Sequence, residues 1–174
     1  MKFYLLEQPD WPTAEIDVLN FHHSVNYRDF IQDQMYRLPA RLMLYIRHKE
    51  YVEYPGILLM PLPLFSKNMW KCIGNFMKEP LHTHFIFMDE KTRHSEQYYC
   101  PAFRRVKGRV VMEEQKGSIQ PVSLLSEECI PEAIPALYVQ DGEKIWVMLR
   151  QDLLESLMRM GLCEVKLLPI KGRD

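Results

Sequence analysis

The chain has 174 residues, of which 47% are hydrophobic and 26% are charged, and its formal net charge is −1. This composition is typical of a globular protein and excludes a chain that is disordered throughout. The charge balance shows neither the basic excess of a nucleic-acid binder nor the acidic excess of a DNA mimic, so we expect no nucleic-acid partner.

The length suits a single domain over 1–174, in which 1–55 could form a subregion. In its first half the sequence predicts a strand over 2–7 and a helix over 26–38 that Asn26 caps. The unbroken apolar run within 41–47 fits either a strand or a helix. A loop is predicted over 51–56.

A second helix, over 67–77, is predicted by the clearest helical stripe in the chain. Its apolar positions are Met69, Trp70, Ile73, Phe76 and Met77, a spacing that places them on one face of a helix. Ser66 is the predicted N-cap, because a serine side chain can accept a hydrogen bond from the first turn.

From residue 82 the period of the apolar residues changes to two, which is typical of strands. Strands are predicted over 82–88, 98–105, 109–113 and 121–125. Helices and strands are mixed without a regular βαβ alternation, so the sequence favours an α+β fold with a mainly antiparallel sheet and a few short helices.

The C-terminal segment 137–170 is predicted to form a hairpin, a helix and a strand. Asp141-Gly142 indicates a two-residue type I′ turn between the hairpin strands. Asp152 and Glu155 have the spacing of a capping box, and Gly161 is expected to end the helix.

The apolar face of this predicted helix consists of Leu153, Leu154, Leu157 and Met158. We expect it to pack on the side of the hairpin that carries Ile145, Val147 and Leu149, because alternate residues of a strand share one face.

Four cysteines, at 72, 100, 129 and 163, occur singly and without a C-x-x-C pair. This pattern favours reduced thiols in a cytoplasmic protein over a metal knuckle. The longest apolar run, 56–65, is too short to span a bilayer, and no signal-peptide core is present at the N-terminus. We expect a cytoplasmic protein with no membrane partner.

His82 and His84 are the best candidates for a metal site. Residues two apart on a strand point the same way, so both imidazoles could bind one ion, with Asp89 and Glu90 nearby. The spacing resembles the first metal motif of cupins, but its flanking glycines and second histidine motif are missing. We therefore expect no metal, and His82 and His84 remain the alternative, as ligands in a metalloenzyme.

Other chemistry finds no support in the sequence. Neither a nucleophile elbow nor a phosphate-binding glycine loop occurs, so we predict no catalytic residue and no cofactor.

Binding of a protein partner is the remaining possibility. Tyr51, Glu53 and Tyr54 combine two aromatic rings and an acid in the predicted loop, and tyrosine is enriched at protein interfaces. Glu113 and Glu114 are the secondary candidates. An ordinary solvated loop is the alternative for each.

The order of predicted helices and strands over 57–170 is similar to that of a known protein family. It runs from the helix start at 62–66 through the strand around Tyr98-Tyr99-Cys100 and the stretch 103–111. It continues with 137–139 and the closing segment 153–169, whose helix ends at Gly161-Leu162. This order resembles a divergent group of bacterial immunity proteins from polymorphic toxin systems. The resemblance implies stoichiometric binding of a cognate toxin domain in the producer's cytoplasm, without a cofactor or a catalytic residue. An unrelated small scaffold or regulatory binding protein is the alternative.

Overall fold

The computed structural model describes residues 2–9, 16–78, 80–112, 122–126 and 130–171. Within these ranges the chain forms four helices and twelve strands with mainly antiparallel pairing, which confirms the predicted α+β class. The strands are β1 (Phe3–Glu7), β2 (Arg41–Ile46), β3 (Ile57–Leu58), β4 (Leu64–Ser66), β5 (His82–Asp89), β6 (Ser95–Pro101), β7 (Arg105–Lys107), β8 (Arg109–Met112), β9 (Val122–Leu125), β10 (Ala136–Asp141), β11 (Lys144–Arg150) and β12 (Lys166–Pro169). The helices are α1 (Phe21–Ser24), α2 (Tyr27–Ile31), α3 (Lys67–Gly74) and α4 (Gln151–Arg159), with a 3₁₀ helix at Met35–Arg37.

Two five-stranded sheets organise the described part of the chain. The first has the order β12-β1-β11-β10-β7, and the second has the order β2-β5-β6-β4-β3. Each sheet has one parallel pair at an edge, β10 with β7 and β2 with β5. The parallel pair β2–β5 positions the candidate site, because the carboxyl ends of both strands meet at the same end of the second sheet.

The single strand predicted over 98–105 is in fact two strands in different sheets. β6 pairs with β5 in the second sheet, whereas β7 pairs with β10 in the first. The chain crosses between the sheets at 102–104, where Phe103 is buried against Phe65 and Tyr138. A period-two pattern continues through such a crossing, so it could not reveal the change of sheet.

The helix predicted over 26–38 is shorter and is interrupted. Asn26 caps α2 as predicted, and its side chain accepts a hydrogen bond from the N–H of Arg28 at 3.2 Å. The helix ends at Ile31, and Asp33 then adopts a left-handed conformation with φ 59°. The Arg105 guanidinium accounts for this early end, because it donates to the carbonyl oxygens of Phe30 and Ile31.

Two further predictions concern the segments before β5. The run over 41–47 is a strand, β2, and the helical alternative is wrong. α3 begins after Ser66 as predicted, but the Ser66 side chain makes no capping hydrogen bond. The helix ends at Gly74, so Phe76 and Met77 lie beyond the last helical turn.

The C-terminal hairpin is confirmed, but its turn type is not. Asp141 pairs with Lys144, which makes Gly142 and Glu143 the central residues. Gly142 has φ 62° and Glu143 does not have a positive φ, which is the requirement of a type II′ rather than a type I′ turn. Asp141 is held in the ladder, and its carboxylate accepts a hydrogen bond from the N–H of Val110 at 3.0 Å.

The predicted capping box of α4 is also wrong. Arg150 is the N-cap residue, and its side chain makes no capping hydrogen bond. Asp152 instead forms a two-pronged pair with the Arg150 guanidinium, at 2.7 and 2.8 Å. Glu155 accepts a hydrogen bond from Gln151 at 2.8 Å, so both acids of the expected box are used differently.

Gly161 ends α4 as predicted, with φ 98°. The N–H of Gly161 bonds to the carbonyl of Met158, and the N–H of Leu162 bonds to that of Leu157. These two bonds are the Schellman arrangement, in which a glycine without a Cβ takes the left-handed position.

Apolar side chains are buried on both faces of the first sheet. On one face Val147 and Leu149 of β11 lie in the same core as Leu157 of α4, which confirms the predicted packing. On the other face Met148 lies in a second core with Leu124 of β9. Met158 was expected on the packed face of α4, but half of its surface is exposed.

Candidate functional site

The predicted partner-binding loop follows β2 and lies beside the turn between β5 and β6. Tyr51 is 77% exposed, Glu53 is exposed and Tyr54 is half-buried. We call residues 48–55 the aromatic loop. Tyr51 projects most of its ring into solvent, where a partner could contact it.

Three contacts tie the aromatic loop to the second sheet. At its start, Nδ1 of His48 lies 2.7 Å from Oδ2 of Asp89. In its second half, the ring of Tyr54 packs on that of His94 with centroids 5.4 Å apart. At its end, the buried Tyr98 hydroxyl donates to the carbonyl oxygen of Pro55 at 2.7 Å. The loop is therefore held at both ends and in between.

Asp89 is the central anchor of this arrangement. Its second oxygen accepts hydrogen bonds from the N–H groups of Lys91 and Thr92, at 2.9 and 3.2 Å. The hydrogen bond from His48, together with these backbone bonds, lowers the pKa of Asp89 to about 2. A carboxylate can only accept, so Nδ1 of His48 carries the shared hydrogen. One buried charge thus links the loop to the β5–β6 turn.

Acidic and basic side chains both occur in this part of the molecule, since Lys49, Lys91 and Arg93 are exposed in the loop and the β5–β6 turn. Burial raises the pKa of the Tyr54 hydroxyl, and the negative charge of Glu96 raises it further. The charge of Glu164 raises the pKa of the Cys163 thiol, with a smaller contribution from Glu53. Glu96 therefore acts on Tyr54 of the loop, and Glu53 of the loop acts on Cys163.

Glu113 and Glu114 lie outside the described residues. The structure therefore does not place them relative to the aromatic loop, and their role as secondary contacts stays a prediction.

His82 and His84 lie on the same face of β5, and both rings contact Tyr99 on β6. The His84 ring is stacked on Tyr99 with centroids 4.7 Å apart, and the His82 ring packs edge-on at 5.4 Å. Trp70 of α3 stacks on Tyr99 at 5.5 Å and also contacts His82. Both histidines therefore belong to a packed group of four rings.

The surroundings of these histidines are not those of a metal site. In the ranges that the structure describes, no group of three or more histidine, cysteine or acidic side chains is placed to hold an ion. Burial lowers the pKa of His84, and the nearby charges of Arg41 and His82 lower it further. Asp89 lies at the opposite end of β5 and is engaged by His48.

Two cavities that no sequence pattern predicted adjoin each other, and one of them reaches the aromatic loop at Lys49. Their volumes are ≈ 560 and ≈ 550 Å³, and both are lined by Gln8, Met60 and Pro61. Neither is lined by Tyr51, Glu53 or Tyr54. No local pattern could have found them, because distant segments form their walls.

Comparison with known proteins assigns no family. No family model, curated protein or solved structure matched the chain. None of the helices in the described ranges has the length and apolar character needed to cross a membrane.

Proposed function

We propose that this protein is a non-enzymatic binding module, an immunity protein that neutralises a cognate toxin domain by stoichiometric binding in the cytoplasm of the producing cell. The observation that carries the proposal is the aromatic loop, which presents an exposed tyrosine on a segment fixed by three contacts. The resemblance in element order supplies the class of partner.

The fixed loop supports binding because ordering a flexible segment opposes association. Immobilising each rotamer-rich side chain costs about 0.5–1.5 kcal/mol, and a loop that is already held avoids much of that cost. His48, Tyr54 and Pro55 are engaged within the fold, whereas Tyr51 is left exposed. Tyrosine is among the residues that dominate the energy of protein interfaces.

The charged surroundings indicate the chemistry of the partner surface. Glu53 is exposed and Glu96 lies near Tyr54, so basic groups of the toxin domain would be complementary there, whereas the exposed Lys49 of the same loop would suit an acidic group. Such complementarity mainly increases the association rate and the specificity. We therefore expect association to slow as the salt concentration rises.

An unrelated scaffold or regulatory module remains the alternative, because it could use the same loop for a different protein. A metalloenzyme built on His82 and His84 is favoured by no observation, since both rings are packed in the aromatic group. Identifying the partner distinguishes the immunity protein from a scaffold or regulatory module. Measuring the metal content of the purified protein distinguishes it from a metalloenzyme.

The test of the surface compares two exposed tyrosines. Tyr51→Ala should weaken binding to the toxin domain by about 2 kcal/mol or more, roughly thirtyfold, as expected for an aromatic anchor. Tyr36→Ala is the matched control, because Tyr36 is 70% exposed and lies on the 3₁₀ helix outside the loop. Calorimetric titration measures both. Equal affinities for the wild type and Tyr51→Ala would mean that the toxin uses another surface.

A further inference from the structure

Among the residues that the structure describes, the outer edge of β2 is only partly covered. The N–H of His84 on β5 bonds to the carbonyl of Ala40, so the even-numbered residues of β2 direct their backbone groups toward β5. Successive residues of a strand direct these groups to opposite sides. The N–H and C=O groups of Arg41 and Met43 therefore point away from the sheet.

The chain itself covers the other half of this edge. Val18 pairs antiparallel with Ile46, the N–H of Leu19 bonds to the carbonyl of Tyr45, and the N–H of Arg47 bonds to that of Asp17. In the described part of the chain, this pairing stops at Tyr45. The edge thus already accepts an added strand, but only along its second half.

Apart from the charge of Arg41, the uncovered half lacks the usual protection of an edge strand. Edge strands are commonly shortened, bulged or interrupted by proline, because their free backbone groups invite pairing with another chain. β2 is a regular strand of 6 residues without a proline. On its exposed face Met43 and Tyr45 are 51% and 41% exposed, so apolar surface accompanies the free backbone groups.

The charges beside this edge are positive. Arg41 is exposed and lies opposite His84 in the register of β2 and β5. The charges that act on His84 are those of Arg41, His82 and Lys67, and all of them disfavour its protonated form. An incoming strand would therefore be favoured if it carried a carboxylate at this position.

We infer that the uncovered half of β2 binds an extended segment of a partner protein as an added antiparallel strand. This segment carries a carboxylate opposite Arg41 and an aliphatic side chain opposite Met43. Arg41 and Met43 each exchange backbone bonds with it, about four in all. The antiparallel direction is the one that Asp17–Leu19 already uses on the same edge.

A second copy of this chain fits the edge poorly. Symmetric pairing centred on Met43 would place the other copy's Arg41 opposite Tyr45, where Leu19 is already bonded. Pairing centred on Leu42 would bring the two Arg41 side chains onto one face as diagonal neighbours, and like charges oppose such pairing.

This site is separate from the aromatic loop. Asp89 and Tyr54 lie near the carboxyl end of β5, whereas Arg41 lies near its start. Binding at the edge therefore does not depend on the proposed toxin interface.

The test uses a blocked peptide of about seven residues, a common strand length. It contains one isoleucine and, two positions later, one glutamate, flanked by threonines. In titrations followed by amide NMR, we expect shifts at Arg41 and Met43 and slower hydrogen exchange of both amides. Replacing the peptide's glutamate by lysine, or making Arg41→Glu, should weaken binding about fivefold, the upper range for an exposed ion pair.

Met43→Pro tests the backbone pairing. Proline removes the outward N–H, which bonds to no other described residue, and proline is tolerated at such edge positions. Binding should be lost in Met43→Pro, weakened less in Met43→Ala, which keeps the N–H but loses the cross-strand side-chain contact, and retained within about twofold in Tyr51→Ala. The inference is wrong if no shifts appear at Arg41 and Met43, or if the lysine peptide binds as well as the acidic one.

Concentration-dependent dimers that disappear in Arg41→Glu would assign the edge to a second copy instead. If Met43→Pro does not fold, the Arg41→Glu and lysine-peptide comparisons still decide.

Discussion

Replacing Leu157 by alanine tests whether α4 and the C-terminal hairpin form one packed unit. Leu157 is fully buried and shares its core with Val147 and Leu149. Alanine removes three carbons, at about 0.8 kcal/mol each, or roughly 2.4 kcal/mol in total. The cavity left behind adds to this, so the free energy of unfolding should fall by about 2–5 kcal/mol.

Urea denaturation followed by circular dichroism measures this change, with Met158→Ala as the control. Met158 is the next residue of the same helix and is half exposed, so its truncation should change stability by no more than about 0.5 kcal/mol. For a chain of this size, the Leu157→Ala loss corresponds to a Tm lowered by about 5–15 °C. If the two variants unfold at the same urea concentration, the packing argument is wrong.

Two other predictions concern Asp89 and His84. The pKa of Asp89 in the folded protein is about 2, below the unfolded value of about 3.9. Its contribution to stability is therefore complete above the unfolded value and lost as the pH falls through about 2. The Tm of Asp89→Asn, measured from pH 6 to pH 2, should fall less than that of the wild type, and parallel curves would argue against the His48–Asp89 anchor. Elemental analysis of protein purified without chelator should find no stoichiometric metal, and one equivalent of zinc, iron or manganese that disappears in His84→Ala would favour the metalloenzyme.

Features set by neighbouring residues were predictable from the sequence. The hairpin, the helix stop at Gly161 and the N-cap at Asn26 all depend on local backbone requirements. The capping box of α4 failed although its spacing was correct. The helix begins at Gln151 with Arg150 as its N-cap residue, so Asp152 lies inside the first turn. There its carboxylate binds the Arg150 guanidinium and accepts a hydrogen bond from the N–H of Leu153.

In the candidate site, too, local features were predictable from the sequence and contacts between distant segments were not. The aromatic loop was predicted from its composition, but its anchors were not. His48 reaches Asp89 across 41 positions of sequence, because β2 and β5 pair in parallel and place Ile46 beside Asp89. Likewise, strand periodicity placed His82 and His84 on one face, whereas their packing on Tyr99 depends on the register of β5 and β6.

Co-expression with a toxin domain encoded beside this gene tests the central proposal most directly. A cell that produces the toxin domain alone should stop growing, and one that also produces this protein should survive. The two proteins should then purify as a complex of fixed stoichiometry. If the neighbouring protein is equally lethal with and without this chain, the immunity proposal is refuted.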